Sequence, residues 1–126
     1  MKLELNIGLD IKGHANSTQD RALRASKALH QLSGLITYSQ RFVTEYTGPD
    51  GRVTEHGLFV ALNSNNKFAT MSIVACLAVS IGQDCIAIYD PETGVGSLVG
   101  PQSENWGSFQ LEFFKRCDQE QERLAA

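Results

Sequence analysis

Three histidines and three cysteines are the residues best suited to chemistry, and their spacing offers little of it. His14, His30 and His56 stand well apart, and none lies at short ligand spacing from another histidine or from Cys76, Cys85 or Cys117. A zinc site needs three or four such groups, commonly two of them a few residues apart; no metal site is predicted. His56 follows Glu55, but neighbours on a strand point to opposite faces, so the two do not form a proton-transfer pair. A cysteine nucleophile needs a base and a positive setting. Cys85 follows Asp84, the wrong sign of neighbour, and Cys117 follows Lys115 and Arg116 with no histidine close in sequence, so inert thiols are expected.

Asp10, Asp50 and Asp90 each end a strand or open a turn, where aspartate is favoured for backbone reasons. The run Gly94 to Gly100 (GVGSLVG) resembles a phosphate loop only at a glance. Its spacing is not that of the dinucleotide fingerprint, and no helix begins there to present its N-terminus. No catalytic residue and no cofactor is predicted.

Candidates for binding are more distinctive. Tyr89 and Asp90 precede a Pro91–Gly94 turn, and beyond it Gln102 to Phe109 (QSENWGSF) holds the single tryptophan, Trp106, beside Asn105. Tryptophan is enriched at binding hot spots, although an aromatic plug that pins a loop to the core has the same appearance. Arg41 and Arg52 could supply a charged fork for an anionic ligand, or serve as edge charges that discourage aggregation.

The elements that must position these residues follow from periodicity. Leu3, Leu5, Ile7 and Leu9 alternate with Glu4, Asn6 and Gly8, the pattern of a half-buried strand. Ser17 or Thr18 caps a helix, Asp20 suits its positive end, and Ala22, Ala25, Leu29 and Leu32 recur at helical spacing until Gly34. Asp20 and Arg24 are spaced as an ion pair on one helix face. Residues 35–46 and 52–62 flank the turn Gly48-Pro49-Asp50-Gly51 and read as a long hairpin. Cap residues at Asn63 to Asn66 introduce a second helix to Gly82, uncharged from Phe68 onward. Cys85 to Tyr89 reads as a short strand, Val95 to Val99 returns as its partner after the turn Asp90 to Gly94, Ser108 to Phe114 alternates like another strand, and residues 115–126 read as a polar C-terminal helix or tail.

The order strand, helix, strand, strand, helix, strand is that of an α+β ferredoxin-like two-layer sandwich, two helices covering one face of an antiparallel sheet. At 126 residues the chain is expected to be a single domain, residues 1–126, large enough to fold without a metal or disulfide. Its 42% apolar and 20% charged content is that of a globular chain.

Partners follow from charge and from apolar faces. A net charge of −3 with scattered Lys and Arg argues against a nucleic-acid partner, since affinity for phosphates rests on clustered basic groups. The uncharged stretch Phe68 to Gln83 falls short of the ~20 residues of a membrane span. With odd cysteines in apolar runs and a strand in place of a signal peptide, a cytoplasmic setting is expected.

Homodimerisation is predicted from the second helix, apolar all round, or from the hairpin, whose Tyr38, Phe42 and Tyr46, with Ile36, share one side opposite Val53 and Phe59. The C-terminal Phe109, Leu111, Phe113 and Phe114 could instead cover that helix. The reading that results is a small non-enzymatic interaction protein, dimeric, that engages a partner protein or sequesters a small ligand. Its size, acidic balance and lack of signatures suit an accessory or inhibitor protein of a bacterium or its phage. An enzyme whose site assembles only in three dimensions, or a structural subunit of a larger assembly, is the alternative.

Overall fold

A computed structural model describes residues 1–101, and at Tyr46, Gly48 and Phe68 the backbone alone. Strand β1 (Lys2–Gly8) is followed by helix α1 (Thr18–Gln31), the hairpin β2 (Ile36–Gly48) and β3 (Gly51–Asn63), helix α2 (Lys67–Ile81), and strands β4 (Ile86–Asp90) and β5 (Val95–Val99). The strands form one antiparallel sheet in the order β2-β3-β1-β4-β5. The class is therefore α+β, but the strand order is not that of the expected four-stranded sandwich, because Val95–Val99 pairs with β4 and widens the sheet. Residues 102–126, which include the expected strand at Ser108–Phe114 and the tail from 115, lie outside the described residues.

The alternation in β1 decides which face is the core. Leu3, Leu5 and Ile7 are fully buried and share one cluster with Leu58, Val60 and Leu62 of β3, Ile86 and Ile88 of β4, and residues of both helices. Both helices thus lie on the same face. From α1 come Ala25 and Ala28, with Leu32 just beyond its end; from α2 come Val74, Leu77, Ala78 and Ile81. At ~25 cal/mol per Å² of apolar surface removed from water, this cluster is the main driving force for the fold.

Local chemistry sets the helix ends. Ser17 Oγ accepts the Asp20 backbone N–H at 3.0 Å, and Asp20 returns the bond to the Ser17 N–H at 3.2 Å, a complete capping box. Asn66 caps α2 by accepting from the Ala69 N–H at 3.1 Å, and Gly82 closes it at φ +81°, a left-handed conformation open to glycine. Helix α1 ends earlier than Gly34, with Leu32 as its C-cap.

Three details depart from the sequence pattern. Ala22 is exposed and Ala28 takes the core position, a small rotation of the α1 face. A bulge at Thr37 puts Ile36 opposite Leu62, on the helix side, and Tyr38 opposite Ala61, on the other. Asp20 spends its carboxylate on the cap, while Arg24 reaches back to the Leu9 carbonyl.

Candidate functional site

Two regions of the described residues concentrate polar or aromatic side chains. The first lies where β1 ends. Arg21 of α1 donates through Nε to Asp10 Oδ1 at 2.6 Å, and the other oxygen of Asp10 accepts the His56 backbone N–H at 2.9 Å. Arg24 Nη1 donates to the Leu9 carbonyl and to Asn16 Oδ1, both at 2.7 Å. Asn16 also holds Ile11 from both sides, accepting its N–H and donating to its carbonyl. Gln83, beyond α2, donates to the carbonyls of Gly8 at 2.7 Å and Asp10 at 2.9 Å.

Burial works against the Asp10 carboxylate. The Arg21 hydrogen bond, the His56 N–H and the charges of Arg21 and His56 outweigh it and hold the group below its ordinary value. Asp10 is therefore ionised at neutral pH and has no proton to give as a general acid. Beside the network, Ile11, Lys12, His14, Gly82, Gln83 and Asp84 line a shallow cavity of about 330 Å³. The hydrogen-bonding capacity shown here goes to the chain itself, so the arrangement positions the turn after β1.

The second region is the sheet face opposite the helices. The registers place Tyr38, Ala61, Glu4, Tyr89 and Gly96 in one row across it, and Gln40, Phe59, Asn6, Ala87 and Leu98 in the next. The rings of Tyr38 and Phe59 sit 6.2 Å apart at 58°, a diagonal cross-strand pair. Phe42 lies over Gly57, where an added Cβ would collide with the ring, so Gly57 is the space that admits it. Ala87 and Leu98 are buried on this face and form a small cluster with Cys85 and Tyr89. At its β1 end a cavity of about 430 Å³ is bordered by Lys2, Glu4, Thr37, Ala61, Asn63 and Pro91, among others.

The residues singled out from sequence are distributed as follows. Tyr38, Phe42 and Phe59 come together on this face, and the backbone of Tyr46 pairs with Val53 farther along the hairpin. Tyr89 shares the face on β4, but Asp90 turns to the opposite side. There it is buried, accepts the backbone N–H groups of Glu92 and Thr93, and faces Lys67 Nζ at 3.8 Å.

Arg41 pairs with Leu58, whereas Arg52 pairs with Thr47 and bonds Glu45 at 2.9 Å. Six ladder positions, ~20 Å of strand, separate the two arginines, so they do not make one fork. Trp106, Asn105 and Cys117 lie outside the described residues. Burial and the charge of Asp84 push the Cys85 thiol up to about 11, which leaves it protonated at neutral pH. Among the described residues there is no cluster of three or more metal-ligating side chains, and no helix long and apolar enough to cross a membrane.

Sequence reasoning missed the Asp10 network. Asp10 reads as a strand terminator, Arg21 and Arg24 as a solvated helix face, and no spacing rule joins them to Gln83 in a distant element.

No known protein family matches the chain, and no curated protein matches it. Among solved structures, a phage SAM lyase in its apo state is similar at 14% identity and a TM-score of 0.46, over 76% of this chain and 82% of that one. A phage SAM lyase in complex with S-methyl-5'-thioadenosine is similar at 16% identity and a TM-score of 0.48, over 75% and 82%. At these values the likeness bears on neither the activity nor the ligands of this chain.

Proposed function

We propose that this chain is a small non-enzymatic interaction protein that works as a homodimer, with the sheet face opposite its helices as the surface that engages a partner protein or holds a small ligand. The observation that carries the reading is the aromatic group on that face. Tyr38 stands 52% exposed against Phe59, with Phe42 beside them, and both described helices lie on the other side of the sheet. Exposed aromatic surface next to polar groups is the usual composition of an interaction site.

In this reading the β2-β3-β1-β4 part with its two helices is a ferredoxin-like unit, and β5 widens the platform. The protein acts in the cytoplasm of a bacterial or phage-infected cell, and its acidic balance turns nucleic acid away.

Native mass spectrometry of the purified protein, wild type and Tyr38→Ser, tests it. The expected result is a dimer that retains a ligand or a captured protein, with retention lost in the variant while its circular dichroism is unchanged. A bare monomer at every concentration overturns the reading, as does retention that ignores the substitution.

A further inference from the structure

We infer that two copies of this chain join through the outer edge of β2, in antiparallel register about Val43, to make one continuous sheet from the ten described strands. The inference rests on the homodimer reading above and says which surface forms the dimer.

Strand β2 is the edge of the sheet among the described strands and, at 13 residues, as long as its partner β3. An edge of this kind presents a row of backbone N–H and C=O groups toward a further strand. Natural edges are usually blunted by proline, by charges (lysine above all), by short length or by a bulge. Here the sequence ITYSQRFVTEYTG has no proline and no lysine, and its one bulge sits at the start, at Thr37.

Charge then selects the register. Arg41 and Glu45 are the only charged residues of β2, and both lie on the helix side of the strand, beyond the helices' cover. In a two-fold antiparallel pair, the residue at the axis meets its own copy. An axis at Arg41 sets arginine against arginine, and an axis at Glu45 sets glutamate against glutamate. An axis at Val43, midway between them, puts Arg41 opposite the second copy's Glu45, twice per dimer. Glu45 already bonds Arg52 at 2.9 Å, so each contact becomes an Arg–Glu–Arg row. Val43, 57% exposed in the single chain, covers its own counterpart at the axis. On the opposite face, Phe42 then faces the second copy's Thr44.

The geometry also fixes how the two copies are disposed. Antiparallel pairing at an edge places the two-fold axis perpendicular to the sheet, so both sets of helices lie on one side. The Tyr38, Phe42 and Phe59 groups of both copies lie together on the other. The dimer would present one aromatic platform in place of two separate patches.

Sedimentation equilibrium of the full chain from roughly 1 to 100 μM, a range that spans ordinary dimer affinities, is the test. Arg41→Glu and Glu45→Arg should each weaken the dimer about tenfold, because each replaces two opposite-charge cross-strand contacts with two like-charge ones. The double variant R41E/E45R should return close to the wild-type affinity. Under mild oxidation, Val43→Cys should give a disulfide-linked dimer, whereas Thr47→Cys, which would face Ser39 across the axis, should not exceed the wild type.

A wild type that stays monomeric overturns both this inference and the homodimer reading. A dimer indifferent to both reversals and uncrosslinked at position 43 overturns the β2 edge alone. It would leave the dimer to another surface, such as the uncharged outer side of α2 at Ile73, Cys76 and Val79.

Discussion

From Gly57 to Asn63, strand β3 lies between β1 and β2, and Leu58, Val60 and Leu62 are sealed beneath the helices. From Gly51 to Glu55 the same strand has, among the described residues, only β2 beside it, and Arg52, Thr54 and Glu55 stand in solvent. Both halves are rich in β-formers and share one ladder, so propensity does not separate them. The second neighbour and the overlying layer do, because a two-stranded ribbon has too little burial to be stable alone. The boundary is marked by hydrogen bonds: Leu9 donates to the His56 carbonyl at 2.9 Å, and Asp10 accepts the His56 N–H. The near half holds the fold together, and the far half, among the described residues, is a two-stranded ribbon outside the core.

Substitutions that break or sharpen this contrast should fall in a clear order. The largest effect is expected from Leu5→Ala on β1, directly opposite Val60, where loss of a fully buried side chain should cost ~2–5 kcal/mol in urea denaturation. A cost below ~1 kcal/mol would mean that the near half is not the stabilising half.

At the boundary, Asp10→Asn should cost ~1.5–3 kcal/mol at neutral pH, since it removes a charge-assisted bond from Arg21 and weakens the grip on His56. The Asp10 group has a folded value below its ordinary 3.8. Its stabilisation is therefore present above that ordinary value and is lost as the pH falls through the lower, folded one. A pH series of denaturation midpoints should show a shallower acid decline in the variant; parallel curves would remove Asp10 from the linkage.

Ser17→Ala removes half of the capping box and should cost ~1 kcal/mol, read from the thermal midpoint. Smallest of all, Val43→Thr in the far half should change monomer stability by less than ~0.5 kcal/mol, measured below the concentration at which any dimer forms. A larger loss there would show that the ribbon contributes to the core fold after all.

Much of the near half is legible in the residue pattern alone. The alternation from Leu3 to Leu9 identifies β1 because a pleated strand repeats every two residues, and it also identifies the buried face. Ser17 and Asp20 announce the start of α1, and Gly48-Pro49-Asp50-Gly51 locates the hairpin turn to the residue. Tyr38, Phe42 and Phe59 share a face as the pattern implies, whereas Ile36 does not, because a bulge shifts the register and no local pattern announces one.

The remaining differences lie in long-range choices. Helix α2 is apolar on every side, so its sequence has no direction; only the packed sheet selects Val74, Leu77, Ala78 and Ile81 for the core and leaves Ile73 and Val79 outside. The Asp10 network joins β1, α1, β3 and the end of α2 through residues that are individually ordinary polar ones.

Among the described residues the sequence by itself determined the elements, the caps at Ser17, Asn66 and Gly82, and the α+β class, because periods of 2 and 3.6 and the turn residues act through near neighbours. Only the tertiary structure decided that β3 outruns β1 and that Asp10 bridges Arg21 and His56. Those outcomes depend on distances between residues far apart in the chain, which local spacing does not encode.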